Sequence, residues 1–184
     1  MTTREDYAPG PAKGAEVRKN GDRWTLVLVR DLRHSPEKVW KALTDREELR
    51  EWAPFDADRD LDTSGPIKLS TIGPSIPTIS ESTVRRAEAP KLLEYGWGEN
   101  DIRWELEPSA GGTRLTLWHN IGRPYIAMGA AGWHICFDVL DRYLAGSPIG
   151  RIAGGDAMKF EWKRLRVEYA KQFGIEDSTQ QPKI

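Results

Sequence analysis

Hydrophobic residues follow a helical period in one long stretch of this chain, from Ala130 to Gly146. Large apolar side chains recur there at the i, i+4, i+7, i+11 spacing of a single helical face: Trp133, Phe137, Leu140 and Leu144. Gly146 and Pro148 then form a stop signal, because glycine adopts left-handed conformations freely and proline cannot continue a helix. The pattern predicts a long helix that packs on a broad apolar surface.

Between Asp58 and His119 the period changes to two, which is typical of half-buried strands. Six strands are predicted, near residues 59–61, 67–71, 79–87, 92–97, 101–107 and 113–119. In the fifth strand Ile102, Trp104 and Leu106 share one face, and the residues between them are charged. Short strands joined by tight turns form an antiparallel meander. Its apolar face needs a cover, which the long helix supplies.

Two short helices are predicted between a first strand and this meander. The first strand, residues 23–30, is an apolar run rich in branched side chains and suits a strand buried on both faces. Ser35 and Pro36 form a helix start, because a serine hydroxyl accepts from free amides and proline fits the first helical position. A second start follows at Thr44 and Asp45, each of which precedes a glutamate by three residues in a capping-box pattern.

A further helix is predicted near the end of the chain, over about residues 156–173, with Asp156 as its cap. Its apolar stripe consists of Trp162, Leu165, Tyr169 and Phe173. The stripe either packs on the domain or forms an oligomer contact. The chain is therefore expected to be a monomer or a homodimer.

Length and composition fit one domain with an aromatic-rich core. The chain has 184 residues, of which 39% are hydrophobic and eight are tryptophan. We expect a single domain over residues 16–174 with its core at 24–146, and flexible tails at 1–15 and 175–184. The net charge is −1, from 27 basic and 28 acidic residues. No nucleic acid and no membrane surface is therefore expected as a partner, because both call for a basic excess.

Targeting signals and cysteine usage suggest a cytoplasmic protein. The start, MTTREDYAPG, has no apolar signal segment, and no run approaches the roughly 20 apolar residues of a membrane span. The single cysteine, Cys136, cannot form an internal disulfide. It lies in the apolar stripe of the long helix, where we expect a buried structural thiol.

No sequence motif points to a cofactor or a metal ion. Residues 153–156 lack the spacing of a phosphate-binding loop. The three histidines, His34, His119 and His134, are too scattered to predict a metal site. The Gly-x-Ser-x-Gly elbow of a hydrolase is absent as well. We therefore expect no cofactor, no metal ion and no assigned catalytic residue.

Two of the histidines have interpretations of their own. His119 continues the inward parity of Leu115 and Leu117 at a strand end. It is either a polar group at a pocket rim that exchanges a proton near neutrality, or a histidine satisfied by nearby backbone. His134 and Asp138 lie one helical turn apart on the polar side of the long helix, where we expect a solvent-exposed pair.

The order of these elements, together with four short segments, resembles a known superfamily. The segments are SPEKVWKALTD at 35–45 with Trp52 after it, LLEYGW at 92–97, GTRLTLWH at 112–119 and GWH at 132–134. They resemble the START-like, or SRPBCC, superfamily, and within it the family named for the activators of heat-shock protein 90 ATPase. The resemblance implies an α+β helix-grip fold, in which a curved antiparallel sheet wraps around one long C-terminal helix. The last predicted helix is an addition to it.

The resemblance also implies a cavity between sheet and long helix, used across the superfamily for apolar ligands. The aromatic residues of the inner face are either ordinary core or the lining of such a cavity. Eight residues are predicted to line it: Trp52, Tyr95, Trp97, Trp104, Leu117, His119, Trp133 and Phe137. Residues 70–80 are either a lid over the cavity or a hairpin loop.

Three functions fit this sequence. The first is binding of a small hydrophobic or aromatic molecule, such as a lipid, without catalysis. The second is a protein-interaction or co-chaperone-like module, with a chaperone or another protein as partner; the expected single domain weighs against it, because the resemblance assigns co-chaperone activity to multidomain members. The third is a cyclase- or hydrolase-like enzyme with His119 as acid or base, and Glu94 and Tyr95 as the other candidates for an inward-facing acid or base. A buried carboxylate near His119 would favour the enzyme, and a wholly apolar cavity would argue against it.

Overall fold

The computed structural model describes residues 3–73 and 78–175. Its central element is a long helix, α3, at Ile126–Leu144. The predicted long helix is confirmed, and it begins before residue 130 because its first turn is also buried. It ends in a Schellman motif, in which the Ser147 N–H donates to the Arg142 carbonyl at 3.0 Å. Gly146 takes a φ of +79° there, so the predicted glycine stop is present.

Eight antiparallel strands form one sheet against this helix. They are β1 (Ala15–Asn20), β2 (Arg23–Leu32), β3 (Phe55–Ala57), β4 (Gly65–Thr71), β5 (Thr78–Glu88), β6 (Leu92–Trp97), β7 (Asn100–Ser109) and β8 (Gly112–Asn120). Their order across the sheet is β1-β2-β8-β7-β6-β5-β4-β3, so β2 pairs with the last strand of the meander. The antiparallel sheet and the long helix make the α+β helix-grip fold that the resemblance implies.

Three further helices complete the chain, α1 (Pro36–Thr44), α2 (Arg46–Trp52) and α4 (Trp162–Phe173). Short 3-10 helices lie at Arg123–Tyr125 and Gly154–Lys159. The predicted starts of α1 and α2 are present. The Ser35 hydroxyl accepts from the Lys38 amide at 3.2 Å, and the Asp45 carboxylate accepts from two amides of the first turn of α2.

The strand faces that are buried are those that the alternation of apolar and polar residues predicts. Ile102, Trp104 and Leu106 on β7 are buried, and so are Leu117 and His119 on β8. β2 is buried only at Leu26, Val27, Leu28 and Leu32, rather than along its whole length on both faces. None of the described helices is long and apolar enough to cross a bilayer.

Two strands differ from the prediction. The predicted strand at 59–61 is a loop, because the Arg59 guanidinium donates to the carbonyls of Asp60, Thr63 and Pro66 and closes the backbone around itself. The strand in this region is β3 instead, four residues earlier. β1 was not predicted, because its six residues contain few apolar side chains; as an edge strand it pairs only with β2.

The last helix also begins later than predicted. α4 starts at Trp162, and Asp156 lies in the preceding 3-10 helix, where its carboxylate accepts from Arg4 and Lys159 instead of capping α4. Glu161 takes a left-handed φ of +60° and separates the two helices. The apolar stripe of α4 packs on the domain, with Leu165 and Tyr169 fully buried.

The segment before β1 packs against α3 and α4, unlike the flexible tail that its composition predicts. Tyr7 is only 4% exposed, and its hydroxyl donates to the Asp138 carboxylate at 2.6 Å. The backbone amide of Ala12 donates to the carboxylate of Glu168 on α4 at 3.1 Å. These contacts are made with partners more than a hundred residues away, so local composition carries no signal of them.

The same contacts bury the polar side of α3. His134 is 1% exposed, and its Nδ1 lies 2.6 Å from the Tyr169 hydroxyl on α4. The Asp138 carboxylate also accepts from Arg30 on β2 at 2.7 Å. The prediction of a solvent-exposed His134–Asp138 pair is therefore wrong, because α4 and the first residues of the chain cover this side. Burial lowers the pKa of His134 to about 4.

Candidate functional site

A pocket of about 840 Å³, which we call the α3 pocket, opens between the sheet and the first half of α3. Three parts of the chain surround it. The sheet contributes the ends of β4, β5, β6, β7 and β8, and α3 contributes its first three turns. Residues 152–162 close the third side. The pocket lies at one end of the helix–sheet interface, while the other end is a close-packed core.

The lining of the α3 pocket is apolar and aromatic. Indole rings approach it from all three sides: Trp97 from β6, Trp133 from α3 and Trp162 from α4. Met128 and Met158 add flexible apolar side chains. Among the described residues that line it, none carries a charge. Ligand sites for small molecules have this composition, in which apolar walls surround a few polar groups.

Glycines on α3 leave the space open. Gly129 and Gly132 lie one turn apart on the helix face that borders the pocket. A Cβ atom placed on Gly132 would meet no described atom closer than Trp162 Nε1 at 4.0 Å. A Cβ on Gly129, by contrast, would lie 2.6 Å from the Ile121 side chain. Gly132 therefore faces the open volume, and Gly129 allows Ile121 to pack against the helix.

His119 is the buried polar group in this wall. Its Nδ1 accepts a hydrogen bond from Trp133 Nε1 at 3.0 Å, and its ring stacks on Trp97 at 5.6 Å between centroids. Burial lowers its pKa to about 4, so the ring is neutral at physiological pH. His119 fits neither of its two predicted interpretations fully. Its hydrogen-bond partner is an indole N–H rather than the backbone, and its pKa lies well below neutrality.

Two arginines hold the third side of the pocket. Arg4 donates from Nη1 to the carbonyls of Ile149, Gly150 and Arg151, at 3.2, 3.0 and 2.9 Å. Arg151 in turn donates to the Arg50 carbonyl at 2.9 Å and pairs with the Asp56 carboxylate. The loop that leads into residues 152–162 is thus tied to the start of the chain and to the region of α2 and β3.

The eight residues predicted to line a cavity separate into two groups. Trp97, His119 and Trp133 line the α3 pocket. The other five lie in the close-packed core beside it: Trp52, Tyr95, Trp104, Leu117 and Phe137. Trp104 contacts Trp52 edge-on at 5.9 Å, and Phe137 lies 5.9 Å from Trp104, so rings rather than open space fill that part of the interface.

Several residues of the pocket were not found from the sequence. Tyr125, Met128, Ile152, Met158 and Trp162 line it from the beginning of α3 and from the region that follows it. The spacing of Gly129 and Gly132, one turn apart on the helix, was one available signal. Residues 152–158 carried none, because their position depends on Arg4. The predicted lid, residues 70–80, includes 74–77, which lie outside the described residues; Thr71 and Thr78 on either side line the pocket.

The described residues that line the α3 pocket include no carboxylate beside His119. Glu94, another candidate acid or base, pairs on the sheet surface with Arg86 and Arg103, at 3.8 and 3.6 Å. Tyr95 accepts from Trp104 Nε1 at 3.0 Å within the core. Within residues 3–73 and 78–175, no cluster of side chains could hold a metal ion. Cys136 borders the pocket, and burial raises the pKa of its thiol to about 12, so it stays protonated.

The curved antiparallel sheet, the helix across it and the pocket between them define a helix-grip protein. A family model described as "Activator of Hsp90 ATPase homolog 1-like protein" matches residues 33–145, more than half of the chain. The chain belongs to this family, as the resemblance predicted. A comparison with curated proteins finds no match.

Solved structures share this fold. A conserved protein of unknown function from Enterococcus faecalis superposes with a TM-score of 0.65 at 17% identity, over 86% of this chain and 89% of that one. CalU16 from Micromonospora echinospora gives a TM-score of 0.61 at 18% identity, over 89% and 98%. An AHSA1-like protein from Aeromonas hydrophila gives 0.56 at 19% identity, over 67% and 93%. At these identities the likeness concerns the fold alone.

Proposed function

We propose that this protein binds a small, hydrophobic or aromatic molecule, such as a lipid-like or polycyclic compound, in the α3 pocket. The observation that carries the proposal is an apolar volume of about 840 Å³ walled by three indole rings and no described charged residue. Pockets for small molecules usually span about 300–1,000 Å³ and have such walls. Proteins with this fold often bind ligands, which agrees with this use of the pocket.

The energetics of the pocket favour an apolar guest. Burying apolar surface contributes roughly 25 cal/mol per Å² removed from water. Aromatic rings add contacts with the indole faces and edges of Trp97, Trp133 and Trp162. A ligand that carried a formal charge would be desolvated without a partner among the described lining residues, which costs several kcal/mol or more. The pocket therefore suits uncharged molecules.

The alternative functions have less support from the described residues. An enzyme of the cyclase or hydrolase kind requires an acid or base of suitable pKa, and His119 is held neutral with no carboxylate beside it in the pocket. A co-chaperone-like module requires a large exposed apolar patch. Of the four large apolar residues that are well exposed in the described part of the chain, Tyr125 and Met158 belong to the pocket lining.

The test uses a glycine that faces the open volume. Gly132→Leu should fill part of the α3 pocket from the helix, whereas Gly132→Ala adds only a methyl group with room around it. We expect saturable binding of N-phenyl-1-naphthylamine, a neutral aromatic probe, to the unaltered protein and to Gly132→Ala. Binding to Gly132→Leu should be weaker by about tenfold or more, which corresponds to about 1.4 kcal/mol.

The alanine variant controls for stability, because replacing a mid-helix glycine with alanine stabilises a helix by up to about 1 kcal/mol. Probe fluorescence, tryptophan emission and thermal unfolding are recorded for all three proteins. If the probe binds none of them, or binds the leucine variant as tightly as the alanine variant, the α3 pocket is not a ligand site.

A further inference from the structure

We infer that the α3 pocket selects a neutral aromatic ligand that carries a hydrogen-bond acceptor, such as the oxygen of an aryl ketone, and that His119 Nε2 is the donor that recognises it. The inference rests on the proposed function and adds the polarity of the ligand to it. Its basis is one buried polar atom, His119 Nε2, which has no hydrogen-bond partner among the described residues.

The tautomer of His119 follows from its single partner. An indole Nε1–H can only donate, so the bond from Trp133 at 3.0 Å makes His119 Nδ1 the acceptor. In a neutral imidazole the proton then resides on Nε2. The low pKa of the ring keeps it neutral across physiological pH. His119 therefore offers a fixed N–H donor, and burial of an unpaired donor is unfavourable unless an acceptor arrives.

The two indole donors that contact His119 are already engaged. Trp97 Nε1 already donates to the Thr71 hydroxyl at 2.7 Å, and Trp133 Nε1 is occupied by His119 itself. The ring of His119 lies between these two indoles, stacked on Trp97 and edge-on to Trp133. An aromatic ligand can contact the same indoles while its oxygen reaches Nε2, so ring recognition and acceptor recognition occur together.

The charge of the ligand is set by what surrounds His119. No lysine or arginine among the described residues lines the pocket, so a carboxylate would be buried without a counter-charge. A ketone oxygen accepts one hydrogen bond without that cost. His119 is itself only 4% exposed, so the ligand oxygen reaches Nε2 after a side-chain movement in the pocket wall, which is common on binding.

Three rigid probes of similar shape test the inference: fluorene, 9-fluorenone and fluorene-9-carboxylate. Their affinities are measured by displacement of N-phenyl-1-naphthylamine. We expect 9-fluorenone to bind about three- to tenfold more tightly than fluorene, the worth of one neutral hydrogen bond. The carboxylate should bind more weakly than both. In His119→Phe the ratio of the two affinities, 9-fluorenone over fluorene, should fall to about one, whatever the absolute affinity of the variant.

Because His119→Phe also leaves the Trp133 N–H without its acceptor, a second measurement uses the unaltered chain. In ¹⁵N NMR of the histidine rings, His119 should show a protonated Nε2 and an unprotonated Nδ1. 9-Fluorenone should shift the Nε2–H resonance to the position of a stronger hydrogen bond, and fluorene should not.

The outcomes separate this inference from the proposed function. If fluorene and 9-fluorenone bind equally, the acceptor rule is overturned while ligand binding stands. A ketone preference that leaves the Nε2–H resonance unchanged, or survives in a folded His119→Phe variant, overturns the role of His119. Tight binding of the carboxylate overturns the requirement for a neutral ligand. If the displacement probe itself fails to bind, it is the proposed function that fails.

Discussion

Removal of the Asp138 carboxylate should destabilise this protein far more than the loss of a surface charge would. The Asp138 oxygens accept from Tyr7 at 2.6 Å and from Arg30 at 2.7 Å, and the side chains of Asp138 and Arg30 are only 16% and 14% exposed. Arg30 bonds to Asp138 through Nη1, and its Nη2 atom is buried without a hydrogen-bond partner among the described residues. The buried charge of Arg30 is therefore compensated by the Asp138 carboxylate.

The magnitude follows from this burial. Removing one partner of a buried ion pair costs about 3–5 kcal/mol, because the remaining charge loses its partner without regaining water. At about 2–4 °C per kcal/mol for a chain of this length, Asp138→Ala should lower the melting temperature by roughly 6–20 °C. The double variant Arg30→Met with Asp138→Leu removes both charges and keeps the volume, so it should be more stable than Asp138→Ala.

Differential scanning calorimetry at neutral pH measures these effects, with Glu16→Ala as the matched control. Glu16 pairs with Arg18 at 2.8 Å, but both side chains are more than half exposed, so its loss should cost no more than about 1 kcal/mol. If Asp138→Ala melts within a degree or two of Glu16→Ala, water reaches Arg30. In that case the contact between the first residues of the chain and α3 does not exclude water from the Arg30–Asp138 pair.

Two further predictions concern the core and its response to pH. Leu140→Ala should cost about 2–5 kcal/mol in urea unfolding, because Leu140 is fully buried and its loss leaves a void between α3 and the sheet; an unchanged midpoint would place it outside the core. The pKa of His119 is about 4 in the folded chain against 6.5 in a model peptide, so the unfolded state takes up the proton first as the pH falls. The buried, neutral His119 therefore contributes up to about 3 kcal/mol to the free energy of unfolding. This contribution is complete above pH 6.5 and is lost as the pH falls towards 4. His119→Phe should unfold with a flatter pH dependence over this window, and an identical slope would contradict the assigned burial.

The features of this fold that could be predicted are those that depend on the local periodicity of the sequence. Alternation over Ile102, Trp104 and Leu106 identified the inner face of β7, and the spacing from Trp133 to Leu144 identified the face of α3 that covers it. The caps of α1 and α2 and the stop at Gly146 were predictable because each depends on residues within one turn. Antiparallel pairing of short strands then leaves few arrangements.

The candidate site was predictable only in part, because periodicity shows which face is buried but not how completely neighbouring side chains fill the space. Trp104 and Phe137 face inward, as His119 and Trp133 do. The first two pack against other aromatic rings, whereas the last two border the open volume of the pocket. The difference depends on Gly132, which leaves the volume unfilled, and on contacts from distant residues. His134 was placed in solvent for the same reason, since the sequence pattern of α3 holds no information about α4.

The hydrogen bonds of Arg4 have a consequence for how this protein is divided into pieces. The family match covers residues 33–145, but Arg4 and residues 152–162 lie outside it on opposite sides, and together they build one wall of the α3 pocket. A fragment cut at the family boundaries would lack β1, β2 and α4 and would expose the buried His134. The unit that folds around this pocket is therefore longer than the segment that the family model matches, and a fusion partner attached near Arg4 would lie beside the loop that leads into the pocket wall.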